Sequence, residues 1–192
     1  MSRTLVLPLL MALTACARLD TGVTAYAVPR TALPKRYTLQ GPDPSRPGGD
    51  PRWPVFAAMV AKALATEGFV QDEAAPGFVL QVSYGSGNRE VHHERTQSKA
   101  PPGHAATTST RSYESVAHYI RLEALDPASV AAGDPRVIWS THGEMRGNPP
   151  ELADALPYML ASMEAHFGKV AESKVVVVKR PWDAEAERLK RR

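Results

Sequence analysis

Only one cysteine, Cys16, stands among 192 residues, so no disulfide forms within the chain and a cross-linked secreted scaffold is excluded. Charge of one sign is also scarce. The 23 Lys and Arg against 20 Asp and Glu leave a formal +3, which does not argue for nucleic acid. Aromatic residues are sparse at 7%. The apolar run Leu5–Leu13, interrupted by Pro8, is roughly nine residues, far short of the ~20 that span a bilayer as a helix. No H-E-x-x-H is present, and no Gly-rich loop ends in Lys-Ser or Lys-Thr. Gly85-Ser86-Gly87 is not the G-x-S-x-G nucleophile elbow. No repeat of solenoid type occurs. Proline, by contrast, is abundant at 17 and concentrates in the connections, which implies extended, irregular loops.

What is present begins with the leader. Met1-Ser2-Arg3-Thr4 carries one positive charge, the apolar run follows, and Leu13-Thr14-Ala15-Cys16 closes it. Charge, short apolar core and small residues before the cut have the layout of a secretory signal. A small residue before a lone cysteine has the form of a lipoprotein cleavage and acylation site. Acylation also accounts for an exported chain with one unpaired cysteine. Each buried methylene of an acyl chain contributes about 0.8 kcal/mol, so a multiply acylated Cys16 anchors stably where one chain does not. In lipoprotein sorting, Asp after the cysteine resembles an inner-membrane retention signal. Ala17 stands there instead, which favours the outer membrane.

The expected organisation is a signal peptide over 1–15, an acylated tether over 16–22, one α+β domain over 23–179 and a charged tail over 180–192. Within the domain, 23–28 and 36–40 read as strands. Asp50 is a helix cap, with Pro51 in the first turn and Trp53, Phe56, Val60 and Leu64 on one stripe. Gly68 and Phe69 then close that helix. Residues 77–84 alternate as a half-buried strand, Gly85 to Asn88 forms a turn or bulge, and 89–111 is a polar hairpin excursion. Strands follow over 113–125 and 136–145, separated by a turn. A second helix, with Leu152, Leu156, Met159, Leu160, Met163 and Phe167 on its stripe, either kinks at Pro157 or starts near Leu156. Residues 174–179 read as an edge strand and the tail from Trp182 as a frayed helix. The fold class is α+β: a largely antiparallel sheet with two amphipathic helices packed on one face.

The order of these features resembles a family of bacterial lipoproteins, that of the domain of unknown function 4136. The residues that carry the resemblance are Tyr37 on an early strand and Leu64-x-x-x-Gly68-Phe69 at a helix end. The alternating strand 78–84, Val137-Ile138-Trp139 and the helix-ending Phe167 complete it. It covers about 23–167. Ala75-Pro76-Gly77 stands where the family often has an acidic residue, and Phe167 is followed by Gly168 instead of Pro. The resemblance implies an envelope lipoprotein of α+β fold and brings no catalytic residues.

Candidate chemistry is thin. His92, His93 and His104 are weak candidates for zinc or copper ligands, with Glu90 and Glu94 nearby, but a polar loop fixes no ligand geometry. His118 and His142 are placed to face each other across paired strands, or to be structural. The basic end, Lys179-Arg180 and Arg188 to Arg192, suits solvent or anionic lipid headgroups. The expectation is a non-enzymatic envelope lipoprotein without a cofactor, facing the periplasm from the outer membrane. Its partners are membrane lipid, through acylated Cys16, and envelope proteins, with no nucleic acid. A metal- or small-ligand-binding module using the histidine hairpin is the alternative, and an envelope-polymer hydrolase the next.

Overall fold

A computed structural model describes residues 19–29, 32–42, 50–97, 108–147, 151–170, 174–180 and 183–191. Seven strands form one sheet in the order β3-β2-β4-β5-β6-β1-β7. They are β1 (Leu19–Ala27), β2 (Arg36–Gln40), β3 (Val70–Gln71), β4 (Phe78–Gln97), β5 (Thr108–Leu125), β6 (Val137–Gly147) and β7 (Val175–Lys179). Pairing is antiparallel from β4 through to β7, and parallel only where β2 meets β3 and β4. The parallel pairs follow from connectivity, because helix α1 (Trp53–Thr66) carries the chain from β2 back to β3. The architecture is the expected α+β one, a mostly antiparallel sheet with helices packed on it.

Alternation puts Val23, Leu80, Val82, Ile120, Leu122, Trp139 and Met145 on the buried face. Against it lie α1, through Phe56, Val60 and Leu64, and α3 (Leu152–Met163). The four phenylalanines are buried. Phe69, Phe78 and Phe167 surround Trp139 with ring centroids 5.7–6.1 Å away. α1 ends as its sequence requires. Gly68 has φ +76°, its N–H donates to the Ala65 carbonyl, and the Phe69 N–H donates to that of Leu64.

Several boundaries differ from expectation. β1 starts at Leu19, so residues 19–22 of the expected tether belong to the sheet. Leu19 and Thr21 continue the inward phase of Val23, and β7 supplies their pairing partners. Of the turn or bulge expected at Gly85 to Asn88 the structure has the bulge: Ser86 pairs with His118 and Arg89 with Val116, leaving two residues opposite Ala117. The polar stretch beyond it extends β4 and β5 as a two-stranded ribbon. The expected turn after β5 contains a short helix, α2 (Pro127–Ala131), capped by the Asp126 carboxylate, which accepts from the Ser129 N–H. α3 starts at Leu152 and runs through Pro157. Helix α4 (Ala184–Lys190) is packed, not frayed. Its Ala186 and Leu189 are buried, and it lies on α3 and α1. That cover explains why α3 is buried on nearly every side and not along one stripe.

Candidate functional site

The outward phase of the central strands builds a polar and aromatic surface. Ser83 on β4 is opposite Arg121 on β5, Arg121 is opposite His142 on β6, and His142 is opposite Thr24 on β1. One row to either side, Tyr26 is opposite Ser140 and Tyr119 is opposite Glu144. Tyr26, His142 and Tyr119 therefore form a diagonal across three neighbouring strands. The Tyr119 and His142 rings are stacked, with centroids 6.5 Å apart at 18°. Tyr119 lies over Gly85, where a Cβ would come within 2.6 Å of its hydroxyl oxygen. Thr24, Tyr26, Ser83, Tyr119, Arg121 and His142 line an open depression of about 440 Å³.

Its charges are locally paired. Arg121 Nη2 is 2.8 Å from Glu123 Oε1. Lys174 Nζ and Arg146 Nε donate to the two Glu144 oxygens at 3.0 and 2.9 Å, and these bonds, Lys174 first, hold that carboxyl below its usual range. Burial lowers the His142 pKa, with help from Arg121 and Lys174 and against the pull of Glu144. The shift favours the neutral imidazole, which offers one donor and one acceptor nitrogen. Ser83 is two strands from His142, about 10 Å, beyond the reach of base activation. Tyrosine and arginine, both present on this surface, are residue types that dominate binding hot spots.

The sequence-predicted sites fare differently. Cys16 and His104 lie outside the described residues. His92 and His93 are neighbours on one strand of the ribbon, so their side chains leave opposite faces. His92 Nε2 is 2.7 Å from Ser115 Oγ, and His93 Nδ1 is 2.8 Å from Ser112 Oγ. Among the described residues, no cluster of three or more His, Cys, Asp or Glu has a metal-holding arrangement. His118 and His142 do not face each other. His118 is buried on the helix-covered side, opposite Met145, whereas His142 is on the open side. His118 Nδ1 is 2.8 Å from Ser86 Oγ. The serine–histidine contact recurs along the same hairpin, between register partners at His118 and His93 and diagonally at His92. The Tyr26–His142–Tyr119 diagonal escaped the sequence reading. Each strand's phase was visible, but the register that aligns the three rings was not.

Neither a family model nor a curated protein matches the chain. Among solved structures it is similar to a PDZ domain protein from Parabacteroides distasonis, at 11% identity and a TM-score of 0.47. That match covers 84% of this chain but 38% of the other, so the chain spans well under half its length. It is also similar to PelC from Paraburkholderia phytofirmans, solved as a dodecamer, at 12% identity and a TM-score of 0.42, covering 79% of this chain and 99% of that one. At these values the likeness assigns no residue and no activity to this chain.

Proposed function

We propose that this chain is a non-enzymatic lipoprotein of the bacterial cell envelope, held by acylated Cys16 in the outer membrane and presenting an interaction domain to the periplasm. The observation that carries the reading is Leu13-Thr14-Ala15-Cys16 at the close of a charged and apolar leader, with no second cysteine in the chain. The position of β1 supports it. Leu19 follows Cys16 by three residues, a reach of at most about 10 Å, so on this reading the domain is kept close to the lipid. Such confinement raises its effective concentration for neighbours in the same envelope. The open sheet face, with Tyr26, Tyr119, Arg121 and His142, is the surface this reading gives to an envelope protein.

Fractionation of the producing cell tests the reading. Wild type is expected in the membrane fraction, released by detergent but not by salt. Cys16→Ala is expected to lose that behaviour. Wild type recovered as a freely soluble periplasmic protein sinks the proposal.

A further inference from the structure

A groove of about 350 Å³ runs between α1 and α4. Val55, Met59 and Leu189 make its apolar floor, and Lys62, Lys190 and Arg191 its rim. Val55 is 52% exposed. Among the described residues, each charged side chain lining the groove is a cation, and Glu187, which pairs with Lys190, is not part of the lining. Two of these cations are held in place. Lys190 Nζ donates to the Tyr158 hydroxyl at 2.7 Å and to Glu187 at 2.6 Å, and Lys62 Nζ donates to the Arg191 carbonyl.

We infer that this groove is the membrane-facing surface of the domain and that its ligand is an anionic phospholipid surface. The inference rests on the acyl anchor proposed above and adds an orientation to it. The chemistry is that of interfacial binding, with apolar side chains entering the headgroup boundary and a cationic rim at phosphate level. A second copy of the chain is a poor occupant, because it would bring one cationic rim against another.

Position agrees with chemistry. Leu19, three residues beyond the anchor, is the register partner of Lys179 at the end of β7. Lys179 in turn pairs with Asp183 and Glu185, at the start of α4. α4 is about 10 Å long, so the groove at its far end is one short helix away from the end of β7 that pairs with Leu19. With α1 and α4 towards the lipid, the sheet face bearing Tyr26 and Tyr119 is turned away from it and open to a partner.

The test uses the chain from Ala17 onward, which retains every described element and carries no acyl group. Its binding is measured by co-flotation with vesicles of phosphatidylglycerol and phosphatidylethanolamine, and with vesicles of phosphatidylcholine alone. Binding to the anionic vesicles only is expected. Lys62→Glu, Lys190→Glu and Arg191→Glu combined should weaken it by about fivefold for each cation removed. Val55→Asp should weaken it with the rim intact. Arg89→Glu, Arg95→Glu and Arg111→Glu, an equal charge change on the ribbon, should leave most of the binding in place. Melting curves establish that each variant is folded. No binding to anionic vesicles overturns the inference, as does binding that the groove changes spare or that both triple variants lose equally. Since no acyl chain takes part, a negative result here is separable from failure of the anchor itself.

Discussion

Asp50 ties the loop before α1 to the sheet through one carboxylate. It accepts from the Arg52 backbone N–H at 2.9 Å, from the Arg52 guanidinium at 2.8–3.3 Å and from the Tyr84 hydroxyl at 3.0 Å. The Arg52 side-chain bonds are the largest cause holding its carboxyl well below the ordinary range, against the opposing effect of burial. Burial, then the bond to Asp50, pushes the Tyr84 hydroxyl up to about 12. Tyr84 also packs edge-on to Phe56 at 4.9 Å and is stacked with Trp53 at 6.3 Å. Tyr84→Phe is therefore expected to cost about 1.5–3 kcal/mol in urea unfolding, one hydrogen bond to a charged acceptor with the ring packing kept. A lowered carboxylate pKa gives stability that is present above the unfolded value of about 4 and is lost as pH falls through the lower folded value. The stability gap between wild type and Asp50→Asn should narrow below about pH 4. A gap unchanged by acid would refute the assigned charge state. The sequence reads Asp50 as the helix cap with Pro51 in the first turn, but α1 starts at Trp53 with Arg52 at its N-cap and no side-chain cap bond. The Asp50 carboxylate instead closes the turn ahead of it by accepting from the Arg52 N–H. Tyr84 is not legible as its second partner, since 34 residues separate them and helix-to-strand docking leaves no local trace.

At the scale of elements, two glycines that look alike in the sequence are required for different reasons. Gly68 ends α1 with φ +76° and has open space where a Cβ would stand. Gly143 sits on β6 beneath α3, where a Cβ would approach Met163 Sδ to 2.6 Å and Cγ to 3.2 Å. Gly68→Ala should cost about 1–2 kcal/mol through backbone conformation alone. Gly143→Ala should cost about 1–3 kcal/mol by pushing Met163 away from the sheet. Thermal or urea unfolding of the single and double variants separates the two causes. Combined with Met163→Ala, Gly143→Ala should be strongly non-additive and Gly68→Ala nearly additive. Additivity at both sites would disprove the steric account of Gly143. α1 was readable because its stripe, glycine and following phenylalanine are local features. The ribbon extending β4 and β5 was readable as a hairpin but not as a direct continuation of the two strands, because 89–97 lacks the apolar alternation that marks a half-buried face. α4 read as a loose tail because only Ala186 and Leu189 are buried in an otherwise charged segment, and two residues make no visible stripe.

The whole molecule has two faces with different chemistry. One side of the sheet is covered by α1 and α3, with α4 packed on those helices. The other bears the diagonal of Tyr26, His142 and Tyr119. The α+β class was legible from the order of periodic segments, since antiparallel strands and two amphipathic stripes have few ways to bury both. The open face was not, because its composition emerges only when four strands are set in register. No described helix is long and apolar enough to cross a membrane. The attachment proposed above is through Cys16. Incorporation of a clickable fatty acid in the producing bacterium tests that claim most directly, comparing wild type with Cys16→Ala. The account predicts a labelled wild-type chain and an unlabelled variant; a wild-type chain that takes up no label would contradict it.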